Sequence, residues 1–270
     1  MKRILLKLVR KLGYDIIRYN YEPGYLSREL LIEKYKSLIN EVNSLYQERI
    51  LPEFHEGNYM RVSLMSKLLG TQISEAIYII NFLNKATFVK GDVCEFGIAQ
   101  GSTSTLIANE ISKTSKNLWL FDSFEGLPKP TEKDLLKDDI CNLGSIAAYQ
   151  GTMAFNVNMV LERLSEIAFP LDRVKIVPGF IEETIKHPNL PNCISFAYID
   201  FDFYEPIKIA LEYLENNLSI GGYIIVDDYD FFSTGAKTAV DEFMNNRNDR
   251  FSFSLPCKAA GHFCILERTR

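Results

Sequence analysis

Three apolar runs of this chain end in acids: Leu118-Trp-Leu-Phe-Asp122, Phe196-Ala-Tyr-Ile-Asp200-Phe-Asp202 and Tyr223-Ile-Ile-Val-Asp227-Asp228. Held at neighbouring strand ends, Asp200, Asp227 and Asp228 would repel and raise one another's proton affinity. A hard divalent cation removes that conflict, and all-oxygen ligation suits magnesium, manganese or calcium rather than zinc. The competing reading makes Asp202 and Asp228 caps of the helices that follow them. A fourth run, Val93-Cys-Glu95-Phe, leads into Gly97-Ile-Ala-Gln-Gly101 and a helix-like segment from Ser102. Strand, glycine turn and helix N-terminus in that order form the nucleotide-binding corner of an open α/β sheet. Gly97 and Gly101 would let backbone approach a ligand, Glu95 would sit at the lip of the crevice, and Asp122 could accept both hydroxyls of a ribose.

Positioning these acids on one edge requires parallel strands, and the hydrophobic pattern supplies them. Strands are expected at 93–96, 118–121, 174–177, 194–200 and 223–227, with helices between them at 102–112, 155–167, 181–187 and 206–217. This alternation predicts a doubly wound, mostly parallel sheet whose carboxyl strand ends share one edge. A helix at 235–245 and two late strands at 251–255 and 263–267 follow, the strands forming an antiparallel hairpin at a sheet edge. The polar stretch 123–143 is either a lid over the crevice or a solvated insertion.

Ahead of the α/β core the chain reads as helical. Residues 1–19 are basic and amphipathic, either a helix on an anionic membrane surface or one packed on its own domain. A turn-rich bridge at 19–25 precedes helices at 29–48, 63–69 and 74–83. We expect a helical extension over 1–86, serving as lid, substrate wall or dimerisation element, and an α/β domain over 87–270.

The 270 residues, 47% hydrophobic, suffice for that organisation. A formal net charge of -5 argues against nucleic acid as a partner. Five scattered cysteines without a CxxC pair suggest reduced thiols and a cytoplasmic protein. Three dispersed histidines are too few for a His-based zinc site. No apolar run approaches the ~20 residues of a membrane-spanning helix.

Several segments together resemble the class I S-adenosylmethionine-dependent methyltransferases, and within them the macrocin O-methyltransferase family. They are Glu95–Gly101, Phe121-Asp-Ser-Phe-Glu-Gly-Leu-Pro128, Tyr149-Gln-Gly-Thr152, Val177-Pro-Gly-Phe180, Tyr198-Ile-Asp-Phe-Asp-Phe-Tyr-Glu205, Leu218–Tyr229 and Ala236–Phe243. The resemblance implies a seven-stranded, Rossmann-like sheet and magnesium-dependent methylation of a sugar hydroxyl. Glu95, Gly97, Gly101, Ser102, Asp122 and Ser123 would bind S-adenosylmethionine. Asp200, Asp227 and Asp228 match the family's magnesium-binding acids, and Asp200 matches its proposed base. Phe180 replaces the family's usual Trp, and Gly261-His262-Phe263 replaces an aromatic pair after Gly, which makes His262 a second candidate base.

The expected acceptor is a nucleotide sugar, a surface glycan or a glycosylated natural product, and the expected assembly a homo-oligomer. Methylation of a catechol or phenol is the rival chemistry. An NAD(P)-dependent oxidoreductase on the same sheet lacks the G-x-G-x-x-G spacing it needs. A scaffold that merely binds the methyl donor would have no need of the acids.

Overall fold

A computed structural model of the chain describes residues 23–55, 59–245 and 247–270; the basic segment 1–19 and its expected surface helix lie outside the described residues. By compactness the chain divides after Leu38, and the unit from Ile39 to Arg270 holds every element discussed below except the start of the first helix.

That helix, α1, runs Pro23–Arg49. The sequence places its start at 29, after a turn at Pro23-Gly24. Proline fits the first helical turn, where its missing N–H has no partner to lose, so the helix starts earlier than expected. Helices α2 (Tyr59–Met65) and α3 (Ile73–Lys85) follow, the first four residues ahead of the expected 63–69 and the second close to the expected 74–83. Both pack on α4 (Ser102–Ile111), the helix that leaves the glycine turn.

The sheet contains β1 (Asp92–Phe96), β2 (Leu118–Asp122), β3 (Val174–Pro178), β4 (Ile194–Ile199), β5 (Leu218–Val226), β6 (Phe251–Ser254) and β7 (Cys264–Arg268). Their order is β3-β2-β1-β4-β5-β7-β6. Strands β1 to β5 are parallel; β7 is antiparallel to both neighbours and lies between β5 and the edge strand β6. The expected doubly wound sheet with a late antiparallel hairpin is therefore present.

Helices α5 (Val157–Glu166), α6 (Ile181–Thr184), α7 (Tyr204–Asn217) and α8 (Thr234–Met244) complete the layers. Central β4 is buried at all six positions, as a strand covered on both faces must be. Its two faces feed two separate cores: Phe196 and Tyr198 join α1, α3 and α4, whereas Ala197 and Ile199 join α7 and α8. The chain winds outward from β1 to β3, then returns beside β1 with β4, so the strand order reverses between β1 and β4. A crevice opens there, beyond the carboxyl ends.

Candidate active site

Register brings the acidic strand ends together. Phe96, Ile199 and Val226 lie side by side across β1, β4 and β5. The ladder continues one step further, with Asp200 N donating to Phe96 O at 2.7 Å and Asp227 N donating to Ile199 O at 2.8 Å. A cleft of about 400 Å³ lies over this edge, a size suited to a small ligand. Leu69, Gly97–Gln100, Asp122, Ser123, Phe180, Asp200, Asp202, Asp227, Asp228 and Phe231 are among its walls.

The carboxylates that come closest are those of Asp200, Asp202 and Asp228, with one oxygen from each lying within 4.8 Å of the others. This differs from the expected trio, because Asp202 takes the place given to Asp227. The reason is the backbone. Asp202 and Asp228 both adopt left-handed conformations (φ 62° and 56°), which re-aim their side chains just past the strand ends. Asp227 instead turns its carboxylate toward α3. Its Oδ2 lies 3.1 Å from the Tyr198 hydroxyl, and its Oδ1 accepts the Asp228 N–H at 2.8 Å.

Neither Asp202 nor Asp228 acts as a helix cap. The first N–H of α7, at Tyr204, is accepted by Asp134 at 2.7 Å, and α8 is capped by Ser233, whose hydroxyl accepts the Gly235 N–H at 3.0 Å. The acids are thus left free to face the cleft.

Burial pushes the proton affinity of Asp200 well above the usual carboxylate range, and the charges of Asp227 and Asp228 add to it. Asp202 is raised by burial and by Asp200, and Asp228 by burial and by Asp227 and Asp202. Among the described lining residues there is no Lys, Arg or His to offset them. A hard divalent cation fits such an all-oxygen set, and Asp200, Asp202 and Asp228 are the residues positioned to hold it.

Behind the trio, α3 delivers Glu75, fully buried, its Oε1 3.0 Å from the same Tyr198 hydroxyl. Burial, with Asp227 next, holds Glu75 protonated well above its ordinary range. Sequence reasoning missed Glu75, because nothing in the pattern of α3 says which strand it faces. It also gave Asp202 a capping role, although the Asp-x-Asp spacing already marked both acids.

The glycine corner is present, with a different division of labour. Gly97 is required by packing: a Cβ there would lie 1.9 Å from Asp200 O, and its φ is +86°. Gly101, in the left-handed region at the start of α4, lies against Val160 and is not part of the cleft wall. The Ser102 hydroxyl bonds the backbone of Leu69, accepting its N–H at 3.3 Å and donating to its carbonyl at 3.2 Å. That ties the segment before α3 to the corner rather than facing a ligand. Asp122 lines the cleft, and its Oδ2 accepts the N–H groups of Ile98 (2.7 Å) and Ala99 (3.2 Å), which fixes the shape of the turn. Ser123 lines it too, donating to Gly126 O at 2.9 Å.

Glu95 is 1% exposed and not at the crevice lip; burial pushes its pKa up to about 8, against a lowering by the neighbouring Ser104 hydroxyl. Its place on β1 between Leu120 and Tyr198 turns it into the layer beneath the corner.

His262 is exposed, stacks on Phe231 (4.8 Å between centroids, 15° between planes) and does not line the cleft, although Phe231 does. The loop after β2 forms a wall. Leu127 and Ile140 face the cleft, while buried Asp134 anchors the loop to Thr131 and Tyr204, and Lys137 N donates to Phe232 O at 3.0 Å.

One protein-family model, described as macrocin-O-methyltransferase (TylF), matches residues 68–251. A curated relative from Streptomyces olivaceus, "8-demethyl-8-(2,3-dimethoxy-alpha-L-rhamnosyl)-tetracenomycin-C 4'-O-methyltransferase", is 30% identical over 145 residues, 52% of this chain and 54% of the relative. "Mycinamicin III 3''-O-methyltransferase" from Micromonospora griseorubida is 30% identical over 148 residues, 52% of this chain and 56% of the relative. The chain thus spans about half the length of the curated relatives it matches. Among solved structures, the O-methyltransferase NovP superposes with a TM-score of 0.64 at 21% identity, covering 88% of this chain and 100% of that one. The same fold is therefore present.

Proposed function

This chain belongs to the macrocin O-methyltransferase family, and on that premise we propose that it transfers a methyl group from S-adenosylmethionine to a hydroxyl of a sugar. The observation that carries the reading is the trio Asp200, Asp202 and Asp228, converging within 4.8 Å beside a glycine corner.

The turn at 97–100, fixed by Asp122, and Ser123 opposite it would hold the methyl donor, which brings a methyl group already activated by the positive sulfonium. The three aspartates would hold a divalent cation, magnesium by the donor set, whose charge lowers the pKa of a bound hydroxyl. What the chain itself does is orient and accept. The apolar walls Ile140, Met153, Phe155, Phe180 and Phe231 exclude water and hold the acceptor ring. Asp200, which lines the cleft among the three aspartates, is the residue we assign to take the hydroxyl proton. His262, exposed and outside the cleft wall, supports Phe231 instead.

The charge of the cleft narrows the acceptor. Six carboxylates line it (Asp122, Glu182, Asp200, Asp202, Asp227 and Asp228), with no cationic side chain among the described lining residues. Outside the three aspartates that would hold the cation, Asp122, Glu182 and Asp227 remain to repel a diphosphate, so a neutral glycoside is favoured over a nucleotide sugar. Leu69 and Gly70, ahead of α3, form part of the wall of the same cleft. We place the enzyme in the cytoplasm, where its five cysteines, all free, would remain reduced.

Isothermal titration with S-adenosylmethionine, with and without magnesium, on wild type and Asp228→Ala tests this reading. Donor binding by both proteins, with magnesium binding lost in the variant, supports it and justifies comparing neutral glycosides with nucleotide sugars as acceptors. A folded protein that does not bind the donor overturns it. Donor binding without magnesium binding in wild type removes the metal from the mechanism.

A further inference from the structure

The edge of the sheet opposite the cleft is built from the turns that lead into the parallel strands, and three of these turns keep apolar side chains outside the core. Phe88, just before β1, is 98% exposed. Ile220 is 66% exposed, on a bulge early in β5 where Ile194 pairs with Leu218 but Phe196 with Tyr223. Leu171, just before β3, is 46% exposed. Single exposed apolar residues need no explanation, but these turns are fastened into one surface. The Ser219 hydroxyl donates to Lys90 O at 2.8 Å. Lys116 Nζ, from the turn before β2, donates to Val89 O at 2.6 Å and to Gly91 O at 2.8 Å. Arg173 Nε, two residues after Leu171, donates to Lys116 O at 3.0 Å.

The charge of this edge is opposite to that of the cleft. Lys85 and Lys90 flank Phe88 and are exposed; exposed Lys113 adjoins Thr114, which shares a small crevice with Thr87. Of the acids nearby, Glu53 pairs with Lys85 at 3.0 Å, and Asp92 accepts from Asn117 N at 3.0 Å and Trp119 Nε1 at 2.9 Å. Asp172, beside Leu171, is exposed. At the other end of the same strands six carboxylates line the cleft, with no cationic side chain among the described lining residues. We propose that the edge carrying Phe88 and Ile220 docks the protein on an anionic membrane surface, with the cleft turned away from the bilayer. Apolar side chains projecting among lysines suit the boundary between headgroups and acyl chains, where an aromatic ring is favoured and anionic lipid attracts the flanking cations. The same lipids repel the acidic cleft edge, so the uneven charge sets the orientation although the whole chain carries a net charge of -5.

Co-sedimentation of the full chain with phosphatidylglycerol-rich vesicles and with pure phosphatidylcholine vesicles tests this. Wild type is expected to bind the anionic vesicles, to leave the neutral ones, and to be released by salt. Phe88→Ser/Ile220→Ser and Lys90→Glu/Lys113→Glu should each weaken binding by about tenfold or more. Far-UV circular dichroism and Tm should not change, because all four side chains are exposed. Leu255→Ser removes an exposed apolar side chain at the cleft end of the sheet, directly after β6, and should bind as wild type does. Phe88→Trp should shift its emission to the blue when anionic vesicles are added. The proposal is overturned by a folded wild type that does not bind anionic vesicles, which leaves this edge to a protein partner, or by equal binding to neutral vesicles. It is also overturned by binding that either double variant retains in full, which moves the contact elsewhere in the chain, such as the basic residues 1–19.

Discussion

Asp134 accepts the backbone N–H of Tyr204 at 2.7 Å, across seventy residues of sequence. Through this bond the loop after β2 caps α7, two residues beyond Asp202. The contact needs Gly235, where a Cβ would lie 1.9 Å from Asp134 Oδ1. Asp134 is 1% exposed and also accepts from Thr131 N and Oγ1, both at 2.7 Å. Removing it would strand several buried donors. Asp134→Ala should cost about 2–3 kcal/mol in urea unfolding and reduce magnesium affinity, because the turn that aims Asp202 loses its anchor.

A methyl group at Gly97 should be worse than one at Gly151. The first would strike Asp200 O at 1.9 Å, whereas the second meets nothing within 4 Å and carries only the strain of φ +76°. Gly151→Ala should therefore cost about 1 kcal/mol. Gly97→Ala should cost roughly 3 kcal/mol or more and abolish donor binding by pushing β1 and β4 apart. Thermal denaturation and titration calorimetry on the two variants would show the contrast.

Stability of the metal-free protein should fall as pH rises. Glu95 is raised from 4.5 to about 8 by burial. Between those values the folded chain binds more protons than the unfolded one, so stability present below pH 4.5 is lost progressively toward pH 8. The acids of the cleft are raised in the same direction and steepen the loss. Glu95→Gln should flatten the profile by up to about 1.4 kcal/mol per pH unit, measured by urea unfolding from pH 5 to 8. Magnesium should raise Tm more at pH 8 than at pH 5, and Asp228→Ala should remove that difference.

The two aspartates of the β5 end should not respond alike. Asp228 belongs to the converging trio, whereas Asp227 is engaged by Tyr198 and by the Asp228 N–H. Asp228→Asn and Asp202→Asn should each lower magnesium affinity by roughly 10- to 100-fold. Asp227→Asn, which keeps hydrogen-bonding capacity toward Tyr198, should lower it less. Calorimetric titration of the three variants with magnesium alone is the comparison.

His262→Ala should leave kcat within about threefold of wild type, since removing an exposed residue outside the cleft wall deletes no proton acceptor. Phe231→Ala should raise the acceptor KM instead, because it opens the wall that His262 only backs. A large loss of kcat in His262→Ala, with KM unchanged, would restore His262 as the base.

What the sequence determined by itself was the sheet and its acidic edge. Short continuous apolar runs ending in Asp122, Asp200 and Asp227-Asp228, alternating with helical segments, are local signals, and parallel winding leaves them one shared edge. Which carboxylates meet was decided by tertiary structure. Left-handed turns at Asp202 and Asp228, and capping by the distant Asp134 and Ser233, moved Asp202 into the trio and turned Asp227 toward Tyr198. Glu75 reaches that layer only because α3 packs behind β4, a contact across 123 residues that no spacing rule encodes. Periodicity reports which face of an element is apolar; which partner that face meets is set by packing over the whole chain.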